Sequence, residues 1–227
     1  MATPSSVIYD ASNNVISSSD LVNAVHQAGY GTTGQIYMSN GAGVKPTFQA
    51  SSGSGGLVWL GTATASASAT INFDNKLTAT YDNYYVVIED CISSAGTQTL
   101  ICQVGTGGTP TYQTTLYLGV SQSVDGAPTT STVATGTNGF ELTGGILMAA
   151  TAARSGAFTI LVTNANNAAD DKVSIAMGGY WGQTNTRDTL SNVRSRWQSA
   201  TVITSLRFQF NAGNITSGIF KLYGLAN

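Results

Sequence analysis

Short segments with strand character recur from residue 57 onward, and no long stretch with helical periodicity interrupts them. Glycine, serine, asparagine and threonine occupy the intervals, as is typical of tight turns. This spacing predicts an all-β fold, an antiparallel β-sandwich of jelly-roll-like type. The ten predicted strands are Leu57–Gly61, Ala67–Phe73, Tyr84–Ile92, Thr99–Val104, Tyr112–Val120, Phe140–Ala149, Ala157–Asn164, Val173–Trp181, Ser205–Asn211 and Gly218–Leu225.

The last two predicted strands are joined by a polar turn and predict a hairpin. In the first of them, Leu206, Phe208 and Phe210 alternate with polar residues, which indicates a half-buried strand. The second is apolar on both faces, with Phe220, Leu222 and Ala226 on one face and Ile219, Tyr223 and Leu225 on the other. Such a strand needs cover on its second face, either from another layer of the fold or from another subunit.

The segment 121–138 is rich in glycine, threonine and other turn residues, and it contains a proline. These residues favour turns and irregular backbone over regular strands. We therefore expect a long surface loop from Ser121 to Asn138.

The first 53 residues differ from the remainder and predict a small attachment or oligomerisation segment. Ser19 to Gly29 has a serine cap, apolar residues at helical spacing and a terminal glycine, which predict a short helix. A hairpin is predicted next, with strands Gln35–Met38 and Thr47–Gln49 around an Asn-Gly turn at residues 40–41. Neither element can form its own core, so their apolar side chains are candidate partner contacts: Leu21, Val25, Tyr37 and Phe48. The Gly/Ser-rich residues 50–56 predict a linker, which gives domains 1–53 and 54–227.

Composition excludes several classes of function. Only 9% of the 227 residues are charged and the net charge is −2, so no positive field favours nucleic acid. Hydroxyl and amide side chains replace the charged ones, while 42% hydrophobic residues indicate a folded protein. No apolar run is long enough to predict membrane insertion, and the N-terminus does not resemble a signal peptide. We therefore expect synthesis in a cytoplasm.

Residues suited to catalysis are scarce. The single histidine, His26, lies in the predicted helix without a candidate partner, and no serine-nucleophile motif occurs. The tandem acids Glu89 and Asp90 are expected on opposite faces of a strand, where they could not flank one bond. We predict neither an enzyme nor a cofactor. The loop containing Asp170 and Asp171 offers oxygen ligands for calcium, although a solvated loop is the preferred interpretation.

Two cysteines, Cys91 and Cys102, fall on what the sequence predicts as the two arms of one hairpin. A cross-strand disulfide and a pair of reduced core thiols are both compatible with that placement. Because no export signal is present, reduced thiols are preferred.

One segment combines aromatic and basic residues and is the candidate recognition or interface surface. It contains two of the three tryptophans and three of the nine cationic residues: Tyr180, Trp181, Arg187, Arg194, Arg196 and Trp197. Aromatic rings stack on sugars, and arginine is enriched at ligand and subunit contacts. The alternative is that Trp181 and Trp197 are core residues at strand ends.

Several sequence blocks resemble a β-sandwich domain of bacteriophage fibre, spike and other virion surface proteins. They are ASATINF (67–73), TYDNYYVVI (80–88), ITSLRF (203–208) and NAGNITSGIFKLYGL (211–225), in that order, and the resemblance covers residues 57–227. The segment GTTGQIYMSNGAGVKPTFQ (31–49) is similar to a short stretch found in phage fibre proteins.

The resemblance implies a homotrimeric virion appendage in which the N-terminal segment binds other virion proteins and the sandwich projects outward. It implies no enzyme and no cofactor. The preferred hypothesis is a tail fibre or spike that attaches to a host-surface glycan or protein. The alternative is a head fibre or capsid decoration protein with a mainly structural role, and a third hypothesis is a cellular carbohydrate-binding module.

Overall fold

The computed structural model describes residues 8–9, 15–16, 32, 35–50, 56–124, 130–144, 146–150, 154–183 and 187–226. All regular elements in these ranges are β-strands, and every pairing between them is antiparallel. The predicted all-β antiparallel class is therefore confirmed, whereas the predicted helix at Ser19–Gly29 lies outside the described residues. The chain divides into two compact units, Met1–Ser54 and Gly55–Asn227.

The N-terminal unit contains two short antiparallel pairs. Strands β1 (Ile8–Tyr9) and β2 (Val15–Ile16) form one pair, and β3 (Gln35–Met38) and β4 (Thr47–Ala50) form the other. The second pair confirms the predicted hairpin. Its turn is held by the Asn40 side chain, whose Nδ2 donates hydrogen bonds to the Lys45 carbonyl at 2.7 Å and Thr47 Oγ1 at 3.0 Å.

The C-terminal unit consists of two antiparallel sheets, an arrangement consistent with a β-sandwich. The strand order is β11-β10-β15-β14-β13-β7-β17-β5 in the eight-stranded sheet and β12-β8-β16-β6 in the smaller sheet, where β9 also pairs with β8. The strands are β5 (Leu57–Ser68), β6 (Ile71–Phe73), β7 (Tyr84–Ser93), β8 (Leu100–Thr106), β9 (Thr111–Tyr112), β10 (Tyr117–Val124), β11 (Thr130–Thr137), β12 (Phe140–Glu141), β13 (Gly156–Thr163), β14 (Lys172–Gly182), β15 (Arg187–Trp197), β16 (Ser205–Phe210) and β17 (Ile215–Leu225).

The core contains large side chains from both sheets. Phe208 of β16 and Phe220 of β17 are fully buried, and their ring centroids are 5.3 Å apart across the core. Phe73 of β6 lies edge-on to Phe208 at 6.3 Å. Burying a phenylalanine side chain contributes about 1.5 to 3 kcal/mol, so aromatic packing between the sheets is a major source of stability.

The C-terminal strands do not pair with each other, and the predicted hairpin at residues 205–225 is wrong. Strand β16 pairs with β6 and β8 in the smaller sheet, whereas β17 pairs with β5 and β7 in the larger one. The turn between them therefore crosses from one sheet to the other. Both strands direct their alternating apolar residues into the same core, a pattern that hairpin arms would also show. On the second face of β17, Ile219 and Tyr223 are half-buried.

The hairpin predicted around the cysteines is wrong for the same reason, because β7 and β8 belong to different sheets. Cys91 and Cys102 are both free and fully buried, which confirms the reduced-thiol interpretation. Burial raises the pKa of the Cys91 thiol to about 12 and raises that of Cys102 as well. Neither thiol is therefore a reactive thiolate near neutral pH.

Two further expectations fail in the eight-stranded sheet. The predicted loop at Ser121–Asn138 is wrong, because β10 continues to Val124 and pairs antiparallel with β11. The segment Arg187–Trp197, which is absent from the ten predicted strands, forms the 11-residue strand β15. In both cases serine or threonine occupies buried positions of the strand, so the apolar alternation that reveals a strand is missing.

Candidate functional site

The predicted aromatic and basic cluster lies on β14 and β15, which pair along their whole length. Because side chains alternate between the two faces of a sheet, the cluster is divided between the core and the outer face. Tyr180 and Trp197 are each only 3% exposed. They belong to the core, as the alternative interpretation held for Trp197.

Tyr180 is fixed by polar and aromatic contacts. Its hydroxyl donates to the Ile146 carbonyl at 2.6 Å and also contacts the Thr143 carbonyl. Its ring stacks on Phe158 with a centroid distance of 5.6 Å. A tyrosine held in this way positions the segment around residues 143–146 and is inaccessible to a ligand.

Trp181, Arg194 and Arg196 lie on the outer side of the sheet, whereas Arg187 is the partner of the buried Gly182 and lies at the end of β15 on the same side as the inward-facing Thr189. Trp181 is half-buried and covered by the Arg154 guanidinium, whose carbon is 3.5 Å from the ring centroid. Arg187 and Arg194 are exposed, and Arg196 Nε lies 3.5 Å from the Asp171 carboxylate. The structure therefore does not assemble the six predicted residues into one surface.

A different surface, not predicted from the sequence, is present on the same strands. Five half-exposed aliphatic side chains lie on the outer face of β10, β15 and β14, and we call them the outer patch. Their exposed fractions are 53% for Val120, 38% for Val124, 44% for Ile175, 53% for Met177 and 57% for Leu190.

The strand register brings these side chains together. Arg194 lies between Val120 and Ile175, because it is the partner of both across the two neighbouring strands. Leu190 is likewise the partner of Val124. Cross-strand neighbours on one face are about 4.5 to 5.5 Å apart, so these side chains share one surface in which the exposed polar residues Gln122, Asn192 and Arg194 lie between them.

The buried side of these strands carries serines beside core residues such as Tyr117, Val193 and Trp197. Four serines of the three strands are buried, and their hydroxyls have no hydrogen-bond partner among the described residues: Ser121, Ser123, Ser174 and Ser195. Ser191 is also buried and donates to the Leu142 carbonyl at 2.9 Å.

The backbone at Gly144 packs closely against β10, which explains why the buried residues Ser121 and Ser123 are small. A Cβ atom on Gly144 would lie 2.6 Å from Ser123 Oγ and 3.1 Å from Ser121 Cβ, so the chain at this glycine approaches the sheet closely. Larger side chains at positions 121 and 123 of β10 would therefore not fit.

The tandem acids occupy a bulge. Asp90 has a φ of 51°, and the register with β17 shifts on either side of Ser217, so Glu89 and Asp90 do not alternate strictly between faces as expected. Both Glu89 oxygens accept from Lys221 Nζ at 2.8 Å, and Asp90 accepts from the Ser155 hydroxyl at 3.0 Å. Each carboxylate thus has its own partner.

The loop with Asp170 and Asp171, considered above as a possible calcium site, lies directly before β14. A lysine ammonium lies among the backbone oxygens of this loop. Lys172 is fully buried, and its Nζ donates to the carbonyls of Asn167 at 2.5 Å and Asp170 at 2.8 Å. Two carbonyl oxygens that could bind a metal are therefore bonded to a cation of the chain itself. Within the described ranges, no three His, Cys, Asp or Glu side chains are grouped as metal ligands.

Of the four candidate partner contacts in the N-terminal segment, the structure describes only Tyr37 and Phe48. Tyr37 is 45% exposed, and its ring contacts Phe48 across the hairpin with a centroid distance of 5.0 Å. Leu21 and Val25, like His26, lie outside the described residues. The two aromatic residues form an accessible pair on a hairpin with little core of its own.

No helix in the described part of the chain is both long and apolar enough to span a membrane. No protein-family model matches the sequence, and no curated protein shows significant similarity to it.

Proposed function

We propose that this chain is a bacteriophage virion protein that self-associates through the outer patch and acts as a fibre or spike in host attachment. Its N-terminal segment binds other virion proteins, and its jelly-roll-like sandwich projects outward. The observation that carries the proposal is the outer patch, in which five aliphatic side chains that are 38% to 57% exposed lie above buried serines of the same strands. The resemblance of the sequence blocks to phage surface proteins supplies the biological setting.

The size of the patch favours an interface. Its five side chains, at 38% to 57% exposure, present on the order of 400 Å² of apolar surface, which is about half of the ~800 Å² that each partner buries in a standard interface. Polar residues between and beside them supply the rest, since protein interfaces combine an apolar centre with a polar rim.

The charges of β15 favour a second copy as the occupant. Arg194 lies within the patch, and the exposed Asp188 lies on the same strand. A surface with a positive and a negative side chain on one strand can pair with a rotated copy of itself. The arginine of one copy then lies near the aspartate of the other. Closed symmetric association then covers the patch without another gene product, while the proposed number of three copies comes from the sequence resemblance.

The experiment has two parts. Mass photometry of the purified chain measures its oligomeric state, and immunogold labelling of intact phage particles locates the protein. We expect a trimer that labels the tail, and binding of the purified trimer to susceptible cells. Label on the capsid with no cell binding would support the head-fibre alternative instead, and a monomeric protein absent from particles would refute both.

A further inference from the structure

We propose that a cleft at the open edge of the sandwich binds a neutral pyranose unit of a glycan. This inference rests on the proposed attachment function and names the ligand class and the site. The cleft has a volume of about 460 Å³ and lies between β5, the edge strand of the larger sheet, and β6, the edge strand of the smaller one. Its polar and aromatic lining consists of Trp59, Thr62, Asn72, Asp74 and Lys76.

Trp59 supplies the stacking surface. It is 64% exposed, while Trp197 is buried and Trp181 lies under the Arg154 guanidinium. An exposed indole presents a large, flat and apolar face, which fits the C–H face of a pyranose ring. Of the three tryptophans in the chain, Trp59 therefore has the ring most accessible to a sugar.

The backbone and a hydrogen bond orient this ring. Tyr223 pairs with Trp59 while the adjacent Leu222 pairs with Gly61, so Leu60 is the extra residue of a β-bulge. Bulges change the direction of neighbouring side chains. Trp59 Nε1 also donates to Thr62 Oγ1 at 3.2 Å, which ties the ring to its own strand.

The opposite wall offers fixed polar groups. The Tyr112 hydroxyl donates to Asp74 Oδ1, and Arg207 Nε donates to Asn72 Oδ1 at 3.1 Å. The Arg207 guanidinium carbon lies 3.6 Å from the centroid of the Tyr112 ring, which connects the two pairs. Burial and the Asp74 carboxylate raise the pKa of Tyr112, so its hydroxyl remains a donor.

This network leaves one oxygen of Asp74 and the amide nitrogen of Asn72 available, since neither has a hydrogen-bond partner among the described residues. An acceptor beside a donor suits the hydroxyl groups of a sugar, each of which can donate and accept. The charged residues of the lining are Asp74 and Lys76, whose charges have opposite signs, whereas Arg207 lies outside the lining with its guanidinium over the Tyr112 ring. The lining itself is therefore neutral, which favours a neutral sugar over a sulfated or acidic one.

The test uses the full-length chain and five soluble sugars: cellotriose, maltotriose, mannotriose, lactose and diacetylchitobiose. Saturation-transfer NMR detects binding, and titration calorimetry measures the affinity of each sugar that binds. These soluble ligands report one site at a time, so oligomerisation does not amplify the result. The variants are Trp59→Ala, Trp59→Tyr and Asp74→Asn, with Leu116→Ala as a control at an exposed leucine near the opposite edge of the sheet.

We expect binding of at least one sugar, a loss of at least about tenfold in affinity for Trp59→Ala, and a loss within about threefold for Trp59→Tyr, which keeps an aromatic face. Asp74→Asn should weaken binding without changing the melting temperature of the free protein by more than a few degrees. Leu116→Ala should bind as the parent chain does.

Three results would overturn the inference: no saturation transfer to any of the five sugars, unchanged affinity in Trp59→Ala, or dissociation of the oligomer by Trp59→Ala. The last would make Trp59 an interface residue. Mass photometry and particle labelling of Trp59→Ala separate this failure from that of the proposed function. If the sugar assays fail while the variant remains trimeric and particle-bound, only the glycan cleft is refuted.

Discussion

Replacing Leu190 by serine tests whether the outer patch holds copies of the chain together. The side chain is 57% exposed and extends from the outer face of β15, away from the core. Serine is tolerated in strands and removes the isobutyl group without adding a charge. The protomer should therefore keep its stability while the interface loses apolar area.

The expected loss follows from that exposure. A fully exposed leucine presents roughly 180 Å², so the site offers about 100 Å², and the change to serine removes about 80 Å² of it. At about 25 cal/mol per Å², the change costs about 2 kcal/mol per copy, or about a thirtyfold increase in the dissociation constant.

Mass photometry over a dilution series measures that constant. Leu57→Ser is the matched control, because Leu57 is 53% exposed at the opposite edge of the same sheet. We expect association to weaken for Leu190→Ser alone, with equal melting temperatures for all three proteins once they are diluted to protomers. Equal dissociation constants for Leu190→Ser and the parent chain would contradict the assignment of the patch.

Two further predictions concern stability. Gly178→Ala should destabilise the protein by about 2 kcal/mol or more, because the added Cβ would lie 2.1 Å from Cδ1 of the buried Phe158 ring; urea unfolding measures the loss. Glu141→Gln should increase the free energy of unfolding at pH 7 but not at pH 3.5. The reason is that burial raises the pKa of Glu141 above the ~4.3 of an exposed glutamate. Urea unfolding at both pH values measures the difference.

The direction of the pH dependence expected for Glu141 follows from proton binding in the folded and unfolded states. Between the two pKa values the folded chain holds a proton that the unfolded chain has lost, so the stability contribution is complete at low pH and disappears as the pH rises through the folded pKa. Glutamine does not ionise and keeps the contribution. An equal effect of Glu141→Gln on stability at both pH values would exclude ionisation of Glu141 as the cause.

For the Gly178→Ala prediction, Gly179→Ala at the neighbouring position is the control, since nothing lies within 4 Å of its added Cβ.

The sequence predicted best the strands whose buried residues are apolar. The observed β7 and β16 each differ from the predicted segment by one residue at the C-terminal end, and apolar residues occupy most of the buried positions of both. Strand β15 was missed because its buried positions include Ser191 and Ser195. Periodicity of hydrophobicity detects a strand only when the buried side is the apolar one.

Strand pairing was less predictable than strand position. Local spacing suggested that β16 and β17 form a hairpin, but the turn between them joins two sheets. Alternation states which residues face the core, and it does not state which strand supplies the hydrogen bonds. The outer patch was missed for a related reason, because it is formed by residues of three strands and becomes visible only through their register.

The position of β17 has a consequence for the order of folding. Strand β5 has β17 as its sole neighbour in the sheet, and roughly 150 residues separate the two strands in the sequence, so this pairing is highly non-local and slow to form. Until β17 emerges from the ribosome, β5 presents unpaired backbone groups that a neighbouring nascent chain could bind. A lower expression level should therefore raise the yield of soluble protein, since each chain then meets fewer others before its own sheet closes.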